Sequence, residues 1–377
     1  METYLLLKVL WWLLLGVLLM GLAIMVGMDM GVGTILRYVG RTDGERRVAL
    51  NIIGPHWDGN QVWFILGGGA IFAAWPLVYA TAFSGLYIVM LLLLWTMIVR
   101  PLGFEYRSKL PSARWRNAWD WALFVSGFVP MLVFGAAIGN LLQGVPFQFS
   151  WNLTSTYTGS FLALFNPFAI LCGLLSVAMS AYMGAVTLMM RGSDAMCERG
   201  RQVATWSAVS AAVLFTVGGI WVSAVQGYHI TQAPDPALAQ TPLQQSVVRA
   251  EGAWLGNFRG HSILWLVPAS AYVGIGLGAW AVRTGRALLG WWLGGLAWIG
   301  LIGTVGAAMF PFMMPSSSEP SQSLTVWNAG SSEHTLKLML GFTIVFLPLV
   351  LWYTGWAFWV MRGKVTVAQV EADEHAY

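Results

Sequence analysis

Apolar residues dominate long stretches of this chain, and short polar segments separate these stretches. Each stretch is about 20 residues long, the length that a helix needs to cross the roughly 30 Å hydrocarbon layer of a bilayer. The pattern therefore predicts an all-α, polytopic membrane protein that forms a single integral membrane domain, with about nine transmembrane helices in a bundle. The predicted spans cover residues 5–36, 58–74, 77–99, 119–142, 167–190, 203–225, 263–282, 288–310 and 336–361.

Two boundaries rest on proline. Only the dipeptide Trp75-Pro76 separates the second and third spans, and we expect a tight turn there because proline favours the first turn of a new helix. The longest polar segment, residues 226–262, contains three prolines and is expected to be a periplasmic loop that could cap the bundle.

The basic residues predict the orientation. Charged residues make up only 10% of the 377 residues and hydrophobic residues 57%, which excludes an ordinary water-soluble fold. Sixteen of the twenty Lys and Arg residues lie in the odd-numbered loops and the C-terminal tail. Because basic loops face the cytoplasm, we expect a periplasmic N-terminus and a cytoplasmic C-terminus. This asymmetry explains the positive net charge without a nucleic-acid partner.

The densest group of polar side chains, residues 54–63, lies where the second span begins. Its members with polar or aromatic side chains are His56, Trp57, Asp58, Asn60, Gln61 and Trp63. A carboxylate, an imidazole and two amides at the edge of a bilayer can organise water and pass protons. Asp58 could instead serve only as a negative charge at a helix N-terminus, and the amides could serve only as hydrogen-bond partners between helices.

A second acid, Asp29, lies late in the first span, and Arg100 ends the third. An acid at the centre of a membrane helix costs about 2.5–3.5 kcal/mol, so it is seldom placed there without a function. The expected topology puts Asp29, Asp58 and Arg100 in the cytoplasmic half, which suits proton uptake from that side. A permanent salt bridge of Asp29 with Arg100 or Arg37 is the alternative.

The chain offers few ligands for a metal or a haem. Its histidines all lie in loops or at span ends: His56, His229, His261, His334 and His375. No histidine pair has metal-binding spacing and no Cys-x-x-Cys occurs, and methionine inside a span usually fills the core. We therefore expect this chain to ligate no metal and no haem of its own.

Several unusual strings occur in the order found in one known family, and by these the chain resembles subunit II of the cytochrome bd-type quinol oxidases. They are Trp11-Trp12, Gly27-Met28-Asp29-Met30-Gly31-Val32-Gly33, the segment 55–63, Ala73-Ala74-Trp75-Pro76, Arg100-Pro101-Leu102-Gly103-Phe104, Arg114-Trp115-Arg116-Asn117, the segment 139–147, the segment 310–317, Ser323-Leu324-Thr325 and Trp327.

The resemblance implies a subunit of a terminal oxidase in the bacterial inner membrane that oxidises quinol and reduces O2 to water. It implies two b-type haems and haem d in a partner, subunit I, and it allows a small single-helix accessory subunit beside membrane lipid. It also implies that Asp58, and more weakly Asp29, belong to a proton path. Members commonly carry an acid where this chain has Val26, so a role of that acid cannot be transferred.

A proton-coupled transporter that uses Asp29 and Asp58 is the competing hypothesis. Transporters often show internal repeats, paired interrupted helices and charges at the membrane midplane. The sequence shows none of these three features.

Overall fold

The computed structural model describes residues 2–372 and 377, without the side chain of Asp194. His375, one of the five histidines considered above, lies outside these residues. The helices are α1 (Glu2–Val39), α2 (Asp43–Ile53), α3 (Trp57–Asn60), α4 (Val62–Ala74), α5 (Pro76–Gly85), α6 (Tyr87–Tyr106), α7 (Ala113–Gln143), α8 (Pro167–Arg191), α9 (Asp194–Ala224), α10 (Gly256–Gly260), α11 (Leu266–Arg283), α12 (Ala287–Met309), α13 (Glu333–Val360) and α14 (Val367–Ala372). Three antiparallel hairpins pair β1 (Phe147–Phe149) with β2 (Ser155–Tyr157), β3 (Gln226–Gln232) with β4 (Ser246–Glu251), and β5 (Phe312–Met314) with β6 (Leu324–Thr325).

The predicted helical membrane fold is confirmed. Among the described residues, eight helices are long and apolar enough to cross a membrane: α1, α6, α7, α8, α9, α11, α12 and α13. A ninth crossing is possible where Trp57–Ala74 and Pro76–Gly85 pass the same test together, although the two parts are bent by 116°.

The bend and the next break divide the chain differently from the predicted spans 58–74 and 77–99. Trp75 adopts φ −135° and ψ 71° because a residue before proline is kept out of the helical region. Leu86 has φ −98° and ψ 28°, so α5 ends there and α6 begins at Tyr87. The residues 77–99 therefore cover α5 and the first part of α6 and do not form one helix.

Helix α1 lies at the centre of the bundle and packs against α4, α7, α8 and α12. Its contact with α8 is close because Gly31 and Gly184 face each other, and a Cβ on Gly31 would overlap the Ser180 carbonyl. Ser180 Oγ donates a hydrogen bond of 2.6 Å to the Gly27 carbonyl oxygen. This contact fixes the part of α1 that carries Asp29.

Ion pairs connect the helix ends at one end of the bundle, which we call the basic end. Asp120 at the start of α7 is fully buried between Arg107, at 2.6 Å, and Arg46, at 2.8 Å. Asp43 of α2 accepts from Arg107 at 2.9 Å and from Arg116 at 2.7 Å. The loops α1–α2 and α6–α7 are thus held together, and their charges serve this network.

The start of α9 joins the same end through a further ion pair. Arg199 Nη1 donates to Glu45 Oε2 at 3.0 Å, and Arg199 Nη2 contacts the other carboxylate oxygen. The hydrogen bonds from Arg199 are the main reason why the pKa of Glu45 is lowered to about 2. Three loops that carry much of the basic charge therefore meet at one end, as the uneven distribution of Lys and Arg indicated.

The three hairpins lie in the loops of the opposite end, which we call the hairpin end. There Lys8 of α1 is buried, and its ammonium group donates to the carbonyl oxygens of Pro236 at 3.0 Å, Leu238 at 3.2 Å and Trp327 at 3.0 Å. A buried lysine with three acceptors is fully paired. The segment 226–262 contains β3, β4 and α10, and Lys8 ties this segment to the bundle.

Candidate proton-transfer site

A buried hydrogen-bonded cluster joins α1 to the short helix α3. Asp29 is only 1% exposed, and its Oδ2 accepts a hydrogen bond of 2.9 Å from Asn60 Nδ2. Asn60 Nδ2 also lies 3.3 Å from His56 Nδ1, which is 3.6 Å from Asp29 Oδ1. The structure thus brings together one acid from the first span and two polar side chains from the predicted group at residues 54–63.

The local backbone explains why His56 and Asn60 face the same way. Helix α2 ends at Ile53, and the turn that follows leads into α3 at Trp57. The Asn60 backbone N–H donates to the His56 carbonyl at 2.9 Å, which is one helical turn. Residues four apart lie on one face of a helix, whereas position 58 lies on the opposite face. Accordingly His56 and Asn60 are buried and Asp58 is exposed.

Arg100 of α6 is the cation associated with this cluster. It is 3% exposed and lies with its guanidinium carbon 5.8 Å from the centre of the Trp57 ring. Its charge interacts electrostatically with Asp29, but the ion pairs of the described residues do not include one between these two side chains. Arg37 is engaged elsewhere, since its Nη1 donates to Asn117 Oδ1 at 2.6 Å. Asp29 therefore accepts a hydrogen bond from an amide and lies beside an imidazole, and no ion pair of the described residues joins it to Arg100 or Arg37.

Four buried polar atoms around Asp29 have no hydrogen-bond partner within the described residues. They are Asp29 Oδ1, His56 Nε2, and both terminal nitrogens of Arg100. Leaving a buried donor or acceptor unpaired costs about 1–3 kcal/mol, so such groups are usually paired. Acceptors and donors grouped in this way suit small polar partners such as water, which can also carry a proton between them.

The charge state of His56 follows from its burial. Burial, with a smaller contribution from Arg191, lowers the pKa of His56 to about 4. The imidazole is therefore neutral at pH 7, and its contact with Asp29 is not an ion pair there. A neutral imidazole has one donor and one acceptor nitrogen, so it can take up a proton on one side and release one on the other.

Aromatic rings enclose the cluster. Phe358 of α13 lies against the His56 ring with centroids 4.6 Å apart, and Phe104 stacks parallel to Trp57 at 5.1 Å. No sequence pattern indicates this contact, because Phe358 is about 300 residues away from His56 in an ordinary apolar run. Only the three-dimensional fold shows that the last spanning helix covers the site.

Asp58 and Gln61 stand apart from the buried contacts. Asp58 is exposed on the surface of the chain, and Gln61 is half-buried at the junction of α3 and α4. The predicted residues Asp29, His56, Trp57, Asn60 and Arg100 thus form one cluster. Asp58 is one residue from this cluster in sequence and lies at its outer side.

Within the part of the chain that the structure describes, no group of three or more His, Cys, Asp or Glu residues could hold a metal ion. His229, His261 and His334 are exposed in or beside loops, away from the apolar core. His56 is the one buried histidine among the described residues, and Phe358 and Asp29 occupy its surroundings.

Known proteins resemble this chain over its whole length. Residues 7–361 match the family model described as cytochrome bd terminal oxidase subunit II. The chain is 47% identical over 377 residues to the Escherichia coli (strain K12) protein named cytochrome bd-I ubiquinol oxidase subunit 2, with 100% of both chains covered. It is 45% identical over 376 residues to the Haemophilus influenzae probable cytochrome oxidase subunit 2, again over 100% of both chains.

More distant matches agree. The chain is 29% identical over 360 residues to the Bacillus subtilis protein named cytochrome bd ubiquinol oxidase subunit 2, covering 95% of this chain and 96% of that one. A chain in the structure of the bd oxidase from Geobacillus thermodenitrificans has a TM-score of 0.67 at 16% identity, with 94% of this chain and 98% of that chain covered. That match shows the same fold. The transporter hypothesis finds no support in these comparisons.

Proposed function

Since the chain belongs to the cytochrome bd terminal oxidase subunit II family, we propose that its buried Asp29 cluster conducts protons to the site of oxygen reduction in the partner subunit. The chain is a multi-pass inner-membrane subunit of a quinol oxidase, and family membership implies a complex with subunit I. The observation that carries the proposal is the Asp29–Asn60–His56 group with four unpaired buried polar atoms.

The orientation follows from the basic end. Sixteen of the twenty Lys and Arg residues belong to the loops and tail predicted on that side. Basic loops stay in the cytoplasm, so the basic end is the cytoplasmic end in this proposal. Asp29 and Arg100 then lie in the cytoplasmic half of the membrane and His56 at its cytoplasmic edge, and the path takes protons from the cytoplasm.

Asp58 is the position at which the path reaches the surface of this subunit. An exposed carboxylate at a span end is costly against lipid, but it is well placed against a polar region of a partner protein. The neighbouring helix α13 is almost uncovered, since only 6% of its most apolar 18 residues are buried within the chain. Subunit I would cover this side, and Asp58 would pass protons between the two subunits.

The redox centres belong to the partner in this proposal. Relatives are named ubiquinol oxidase subunits, so the complex would oxidise a quinol and reduce O2 to water. The two b-type haems and haem d would be carried by subunit I, as the family resemblance implies. The present subunit then supplies a scaffold and a proton path, and a small accessory subunit would bind elsewhere.

Purification of the intact complex tests this division of roles. We expect this chain to co-purify with a haem-bearing subunit, and the visible spectrum to survive in Asp58→Asn while quinol-dependent O2 consumption falls. Glu319→Gln is the matched control, since Glu319 is an exposed carboxylate at the hairpin end. Isolation as a haem-free single chain, or equal turnover in Asp58→Asn and Glu319→Gln, would contradict the proposal.

A further inference from the structure

The turn between α11 and α12 presents two exposed arginines. Arg283 is the last residue of α11, and Arg286 directly precedes α12. Gly285 has φ +77°, which glycine adopts at little cost, and the Arg286 N–H donates to the Ala281 carbonyl oxygen at 2.8 Å. Thr284 Oγ1 adds a hydrogen bond of 3.1 Å to the Trp280 carbonyl. The two guanidinium groups therefore project from a short turn with its own hydrogen bonds.

The stretch of sequence around this turn contains no acidic residue that could neutralise its charge. The sequence contains no Asp or Glu between Glu251 and Glu319. Among the ion pairs of the side chains that the structure describes, which do not include Asp194, none engages Arg283 or Arg286. Arg201 of α9 differs in this respect, because it pairs with Glu198 at 2.7 Å. The turn thus keeps two positive charges available to an outside partner.

Two exposed tryptophans and an exposed leucine lie in the helices that flank this turn. Trp280 is 48% exposed and Trp292 is 65% exposed, and the Arg286 guanidinium lies 5.3 Å from the centre of the Trp280 ring. Leu288 at the start of α12 is also exposed. Tryptophan is enriched at the level of the lipid headgroups, so the turn stands where phosphate groups are found and its apolar neighbours stand where acyl chains begin.

We propose that the α11–α12 turn binds the headgroup of an anionic phospholipid. The forked guanidinium group matches the oxygens of a phosphodiester, and two such groups on one short turn favour a lipid with net negative charge over a zwitterionic one. Basic groups beside membrane helices attract anionic lipids in this way. Helix α11 packs against α9 and α12, whereas α4 and α13 pack against α1 and each other. The lipid site therefore lies apart from the side that carries Asp58.

Titration of the purified complex with phosphatidylglycerol, read by native mass spectrometry, tests the proposal. Each basic residue near an anionic surface contributes about fivefold to binding, so the double variant Arg283→Gln/Arg286→Gln should weaken phosphatidylglycerol binding by roughly thirtyfold. Arg283→Lys/Arg286→Lys should keep part of the affinity, because the charge remains and the fork is lost. Phosphatidylcholine, as the zwitterionic probe, should bind equally to all variants.

Arg201→Gln is the matched control, since it removes a basic residue that already has a carboxylate partner. We expect its phosphatidylglycerol binding to equal that of the unaltered chain. Equal binding in the double glutamine variant would overturn the proposal. An equal loss of phosphatidylcholine binding in that variant would also overturn it, because it would show apolar contact alone. So would a variant complex that loses a small protein subunit and not lipid.

Discussion

Asn60 Nδ2 donates a hydrogen bond of 2.9 Å to Asp29 Oδ2, although the two residues belong to different helices and both are buried. This bond connects the acid of α1 to the polar segment that precedes α4. The same amide lies 3.3 Å from His56 Nδ1. Asn60 is therefore the side chain that holds the acid and the imidazole in one cluster.

Replacing Asn60 by Ala should lower the turnover of the oxidase and leave its haem spectrum unchanged. The change removes the donor and leaves Asp29 with a further unpaired oxygen, which costs about 1–3 kcal/mol in a buried site. The measurement is quinol-dependent O2 consumption by the purified complex. Gln61→Ala is a suitable control, because Gln61 is half-buried and outside the cluster. If both variants turn over equally, Asn60 has no special role.

Replacing Asp120 by Asn should destabilise the complex strongly. Asp120 is fully buried between Arg46 and Arg107, and removing one partner of a buried ion pair costs about 3–5 kcal/mol. We expect a clear fall in the thermal midpoint of the purified complex.

The exposed pair of Glu198 and Arg201 provides the comparison. Exposed ion pairs contribute about 0–1 kcal/mol, so Glu198→Gln should shift the midpoint little. Equal midpoints in Asp120→Asn and the unaltered complex would show that the network does not stabilise the basic end.

The stability of the complex should depend on pH through His56. Its pKa is lowered to about 4 in the folded chain, below the ordinary value of 6.5. Between these values the unfolded chain binds the proton and the folded chain does not, so this contribution to stability is full above pH 6.5 and decreases as pH falls towards 4.

The measurement is the change in thermal midpoint between about pH 7.5 and about pH 5. His56→Gln cannot titrate, so its midpoint should fall less over this interval than that of the unaltered complex. An identical fall in both would assign the pH dependence to other groups.

The helical membrane fold and most of the candidate cluster were predictable from sequence, for the same physical reason. Polar residues such as Asp29 and Asn60 are conspicuous in long apolar runs, because burying them in a membrane is costly. The uneven distribution of arginine likewise predicted that the basic loops would meet at one end. The family resemblance gave the oxidase assignment, and the comparisons confirm it.

Other features depend on contacts that a sequence pattern does not encode. Phe358 looks like any membrane-core residue, and only packing of α13 places it on His56. Asp120 looks like an ordinary charge at the start of a predicted span, although it is fully buried. The break at Leu86 follows Ser84-Gly85, a dipeptide that favours turns, but apolar residues continue on both sides and hydropathy gives no boundary there.

Proton delivery through Asp29 is most directly tested by O2 consumption of the Asp29→Asn complex at saturating quinol, with subunit composition and haem spectrum measured on the same sample. Asn keeps the size of the side chain but cannot release a proton, and loss of an acid–base group commonly costs about a hundredfold or more in rate. We predict an intact spectrum and turnover reduced by at least about tenfold. Normal turnover in an intact complex would contradict the proposed path.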